Sequence, residues 1–62
     1  MDFYLRINGS VSLLTPRTAA GRDFCQHHLP DNCPRHGAAY AVETNYIDPI
    51  LEGIADEGLE VI

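Results

Sequence analysis

The chain has 62 residues, 45% of them hydrophobic and 21% charged, so it forms one domain that buries only about 60% of the surface its unfolded form exposes. That size excludes the large α/β enzyme architectures, and the composition excludes an unstructured tail. The net charge is −5, with four arginines and no lysine against nine carboxylates, which excludes the broad basic face that a nucleic-acid backbone demands.

The first predicted element is a β-hairpin. Phe3–Ile7 and Ser10–Leu14 flank Asn8-Gly9, a strong turn signal between alternating runs. A two-residue turn pairs Ile7 with Ser10 and Leu5 with Ser12, setting serines against the apolar row. A three-residue turn with Gly9 in the left-handed conformation pairs Arg6 with Ser10, Leu5 with Val11 and Phe3 with Leu13. Phe3, Leu5, Val11 and Leu13 then share one face, and Tyr4, Arg6, Ser10 and Ser12 the other. A one-residue slip would move every side chain to the wrong face, so this second register is expected.

Thr15-Pro16 reads as the N-cap and first residue of a helix that runs to about His28. Its face carries Ala20, Phe24 and His27 or His28, and Gly21 costs it ~1 kcal/mol relative to alanine. Leu29-Pro30 ends it, because the residue before proline is pushed out of helical geometry. Cys33–Gly37 reads as a loop and Ala38–Glu43 as a short strand. Asp48-Pro49 opens a second helix, with Asn45 as an earlier alternative start. Ile47, Ile50, Leu51 and Ile54 form its apolar stripe, and Gly58 caps its end. Leu59–Ile62 closes the chain as a short strand. The expected fold is a single α+β domain over residues 1–62 in ββαβαβ order. The N-terminal hairpin joins a mixed four-stranded sheet on which both helices pack, and the last three elements form a right-handed parallel crossover.

Cys25-Gln26-His27-His28 is followed by Cys33-Pro34-Arg35-His36. Cys25, His28, Cys33 and His36 make up a sufficient tetrahedral zinc set, and a thin-cored domain would gain from such a staple. The four-residue spacer between the two pairs is shorter than in the common zinc modules. A Cys25–Cys33 disulfide is a second reading, disfavoured in a reducing compartment. In the third, Cys25 is a small core residue beside Phe24, and the histidines lie at the surface. A cysteine nucleophile would need an orienting base and an oxyanion donor around a cleft. No signature of that kind is present, and no catalytic residue is expected.

The charge is segregated. Residues 1–42 carry all four arginines against Asp2, Asp23 and Asp31, whereas residues 43–62 carry six carboxylates and no cation. Asp48, Glu52 and Asp56 recur every four residues and stack on one helix face, with Glu57 beside them. Like charges at that spacing oppose helix formation, and Asp56 and Glu57 lie at the end where the helix dipole disfavours them. The row therefore reads either as a solvated outer face or as a surface for a basic partner, with members ~6 Å apart, close to the phosphate spacing of one nucleic-acid strand. Glu43 and Glu60 extend the same acidic half. No membrane-spanning run is present, and the start lacks signal-peptide character.

Phe3-Tyr4-Leu5-Arg6-Ile7-Asn8-Gly9, then Val11-Ser12-Leu13-Leu14-Thr15-Pro16-Arg17-Thr18, with Val42-Glu43, Tyr46, Gly53 and Gly58-Leu59, resembles a group of very short uncharacterised proteins of bacterial phages and other mobile elements. Cys25, His27, His28 and Cys33 fall outside that pattern. The resemblance implies a cytoplasmic setting in a bacterial host and no catalytic residues. By analogy of size, charge and setting, such small acidic proteins include anti-CRISPR proteins, which occupy basic surfaces of a host nucleoprotein complex. The expected function is thus a non-enzymatic acidic binding protein that blocks a basic surface of a host protein or nucleoprotein complex. Glu43, Asp48, Glu52, Asp56, Glu57 and Glu60 would carry the contact, without direct nucleic-acid or membrane binding. The alternatives are the zinc-stabilised module and a protein that self-associates, as a homodimer, through open strand edges.

Overall fold

The computed structural model describes residues Met1–Ile62. The elements are β1 (Phe3–Asn8), β2 (Val11–Pro16), α1 (Ala19–His28), β3 (Arg35–His36), β4 (Ala39–Glu43), a 3-10 turn (Thr44–Tyr46) and α2 (Ile47–Asp56). The four strands form one antiparallel sheet in the order β1-β2-β4-β3. The core takes Phe3 and Leu14 from the sheet, Phe24 and Cys25 from α1, Leu29 from its C-cap and Ile54 from α2. Both helices therefore cover the same sheet face, and Tyr4, Arg6 and Val11 are exposed on the other. The α+β class is as expected, but the element order is not. No helix is long and apolar enough to cross a membrane.

The hairpin adopts neither expected register. Asn8 pairs with Val11, Leu5 with Leu14 and Phe3 with Pro16, across a two-residue Gly9-Ser10 turn. Gly9 has φ +63° and Ser10 is not left-handed, as in a type II′ turn. Phe3, Leu5, Ser12, Leu14 and Pro16 consequently face the helices, while Val11 and Leu13 lie on the open face with Tyr4 and Arg6. Ser12 is fully buried, which would be costly without a partner. Its hydroxyl meets the Thr44 hydroxyl at 2.9 Å, and Thr44 in turn donates to the Gly9 carbonyl at 2.8 Å.

Three further boundaries differ. Thr15 and Pro16 continue β2, and the N-cap of α1 is Thr18, whose side chain accepts from the Gly21 amide. Phe3 and Leu5 turn their amides outward, to Glu60 and Ile62, whereas Arg17 donates to the Asp2 carbonyl. The Pro16 nitrogen therefore faces away from β1, on the side where β4 reaches only Leu14, and no ladder bond is lost there. Next, the stretch expected as a loop contains β3, which turns through Gly37 (φ +64°) to occupy the outer edge of β4. With that edge taken, the C-terminal segment does not join β4. It forms one parallel bridge, Val61 to Phe3, on the far side of β1.

Helix α2 begins at Ile47 rather than Asp48, led in by the 3-10 turn. Pro49 still falls within its first four residues, whose amides have no intrahelical partner. The predicted stripe holds: Ile47 and Ile54 are buried, and Ile50 and Leu51 are partly so. Gly58 (φ +74°) closes the helix, with its amide to Ala55 and the Leu59 amide to Ile54, a Schellman motif.

Asp2 ties three segments together. One carboxylate oxygen accepts from the Thr18 hydroxyl at 2.7 Å, the other from the Glu60 amide at 3.0 Å. These bonds, with the nearby N-terminal ammonium, hold the Asp2 pKa below its usual value. A depressed folded-state pKa contributes stability above the ordinary carboxylate range, and that contribution is lost as pH falls through the folded value. Asp2→Ala is therefore expected to melt below the parent at neutral pH, with the gap closing in acid. Melting curves across pH check this, and a gap that persists unchanged in acid would contradict it.

Candidate functional site

The acidic face of α2 follows from the burial of its opposite side. With Ile47, Ile50, Leu51 and Ile54 turned to the sheet, Asp48, Glu52 and Asp56 project outward and all three are exposed. None makes a salt bridge with an arginine, and the one carboxylate contact of this kind in the chain is the His28 Nε2–Glu57 hydrogen bond, at 2.8 Å. Glu57 thus differs from the other expected contact residues: it already has a partner. The His28 ring also stacks on Phe24, centroids 4.2 Å apart, so the pair pins the end of α1 to the end of α2. Glu60 is exposed, but its backbone is committed to Asp2 and Phe3. Glu43 ends β4 with an exposed side chain. The arginines do not offset the α2 row. Arg6 is on β1, Arg17 and Arg22 lie around the start of α1, and Arg35 sits over the Tyr40 ring, 4.0 Å from its centroid.

The four residues of the zinc reading are not brought together. Cys25 is in the core, and Cys33 sits in the loop between α1 and β3. His28 is engaged by Glu57 and Phe24, and His36 is an exposed residue of β3. No three His, Cys, Asp or Glu side chains converge as metal ligands do. The two cysteines are free thiols. Burial pushes the Cys25 pKa up to about 11, so its thiol stays protonated at neutral pH, the opposite of an activated nucleophile. His27 hydrogen-bonds the carbonyl of Asp23, one turn back, through Nδ1.

Beside the start of α2 lies a feature that the sequence did not announce. An open groove of about 520 Å³ runs between the loop after α1, the end of β4 and the first turn of α2. Leu29, Pro30, Val42, Tyr46, Pro49 and Ile50 give it an apolar lining, and Glu43 is its only carboxylate. Its lining residues are scattered along the sequence from His28 to Ile50, and only the fold brings them together. No protein-family model, curated protein or solved structure matches the chain.

Proposed function

We propose that this is a non-enzymatic binding protein whose α2 face occupies an arginine- and lysine-rich surface of a host protein or nucleoprotein complex. A phage or mobile-element inhibitor acting in a bacterial cytoplasm, in the manner of an anti-CRISPR protein, is the sharpest form of this reading. The observation that carries it is the row Asp48, Glu52 and Asp56, exposed along one helix and unpaired although four arginines are present in the chain. Carboxylates left without intramolecular partners are free to meet external cations, and such contacts steer association.

The test is a pull-down of the tagged protein from bacterial lysate at low and high salt, followed by mass spectrometry. The expected capture is a complex with a nucleic-acid-binding surface, retained at low salt and released at high salt by screening. Glu52→Lys with Asp56→Lys is expected to weaken that capture about a hundredfold, taking roughly tenfold per reversed contact. Both positions are solvent-facing, so the melting temperature should stay near that of the parent. Capture that ignores both salt and the reversals would sink the proposal.

A further inference from the structure

The groove beside α2 carries an inference that rests on the basic-partner reading and specifies what the partner presents. Its apolar lining is built from three different segments, and three of the lining residues, Pro30, Pro34 and Pro49, are prolines with little conformational freedom left to lose on binding. Tyr46 stands at its rim, 60% exposed. Two backbone groups add direction to this apolar surface. The Ala41 amide donates to the Pro34 carbonyl, so the Ala41 carbonyl faces Pro34 as well. Pro34 has no N–H to return, and that carbonyl receives only the Cys33 thiol, at 3.6 Å, a weak donor. Two residues on, Glu43 turns its N–H to the same side, beyond the end of β3. One acceptor and one donor thus flank Val42 along the groove wall, spaced as a neighbouring strand would use them.

We infer that the groove takes an extended peptide segment of the basic partner. The segment lies beside Val42, donates an N–H to the Ala41 carbonyl and accepts from the Glu43 N–H. One large apolar side chain enters the groove under Tyr46. An adjacent arginine or lysine meets the Glu43 carboxylate, which no cation of this chain neutralises. The carboxylate row of α2 begins next to this site, with Asp48 beside the lining residue Pro49, so one partner can reach both. Addition of a strand to an open edge, with apolar pockets giving selectivity, is a recurrent mode of peptide capture.

The experiment is an NMR titration of the intact, isotope-labelled protein with three capped hexapeptides. The first is Gly-Arg-Lys-Trp-Arg-Gly, the second replaces its Trp by Ser, and the third replaces its basic residues by Glu. The expected result is shifts of the Ala41, Val42, Glu43, Tyr46 and Ile50 amides with the first peptide. The Ser peptide should bind about tenfold more weakly, the worth of one buried aromatic side chain, and the Glu peptide should not bind. Two variants isolate the backbone contact. Glu43 has φ −61°, so Glu43→Pro fits the native backbone while removing the N–H, and Glu43→Gln removes only the charge. Glu43→Pro should bind the Trp peptide several-fold more weakly than Glu43→Gln, with both variants folded by their spectra. Equal affinity of the Trp and Ser peptides, with shifts confined to Asp48, Glu52 and Asp56, would overturn the groove and leave the acidic face standing. Equal binding of the Glu peptide would overturn the basic partner itself.

Discussion

Phe24→Ala is expected to leave the chain without a cooperative thermal transition. Phe24 is 3% exposed and stands where every layer of the molecule meets. Phe3 of β1 contacts it edge-on, with centroids 5.7 Å apart. His28 stacks on its ring, and Gly53 of α2 lies so close that a Cβ there would sit 3.3 Å from its ring tip. Truncating a buried Phe costs about 3–5 kcal/mol through lost transfer energy and the cavity left behind. A core in a chain this short rarely supplies more than about 3–5 kcal/mol in total, and no disulfide or metal cluster stands in reserve. The loss therefore equals or exceeds what there is to lose. Circular dichroism should show a sloping, non-sigmoidal melt. Phe24→Leu keeps part of the volume and should melt cooperatively at a lower temperature than the parent. A Phe24→Ala protein melting sharply within a few degrees of the parent would show that the core rests elsewhere.

The dominance of Phe24 was partly legible in the sequence, and the reasons for the misreadings are specific. The stripe of α2, its Gly58 cap, the end of α1 at Leu29-Pro30 and the hairpin itself all follow from short-range chemistry, and the structure keeps them. The hairpin register does not follow from it. Gathering Phe3, Leu5, Val11 and Leu13 on one apolar face turns the serines outward. Ser12 nevertheless lies in the core because Thr44, 32 residues away, satisfies it, and no local pattern reveals that pairing. The strand assignment at the C-terminus failed for a related reason. A strand–helix–strand series favours a parallel neighbour, but the two-residue β3 had already taken the edge of β4. The acidic row was legible because helical periodicity alone sets which carboxylates align. The hydrogen bond to His28 that removes Glu57 from it was not, since it depends on where the end of α1 comes to rest. The groove was least legible of all, because its walls come from three segments brought together only by the fold.

The second large effect has a sign opposite to that given by helix propensity. Gly21 sits in the first turn of α1, where alanine would ordinarily gain ~1 kcal/mol. Gly21→Ala is instead expected to destabilise the protein by about 2 kcal/mol net, as an overpacked site does. A Cβ at this position would lie 2.6 Å from the Asp2 carbonyl oxygen and 3.4 Å from the Pro16 side chain. The first contact is with backbone, so no rotamer change relieves it. Moving Asp2 away stretches the 2.7 Å bond from the Arg17 amide, and draws the carboxylate off both Thr18 and the Glu60 amide. Moving α1 away instead opens the packing of Phe24 on Phe3. Either response loosens the junction of β1, α1 and the C-terminal segment together. For a domain of this size, the expected fall in melting temperature is roughly 8–16 °C. Ala20→Gly, at the exposed neighbouring position, supplies the propensity cost alone and should give a smaller fall. If Gly21→Ala raised the melting temperature, Asp2 would have room to retreat. The carboxylate bonds that link the start of the chain to its end would then be adjustable rather than fixed by close packing.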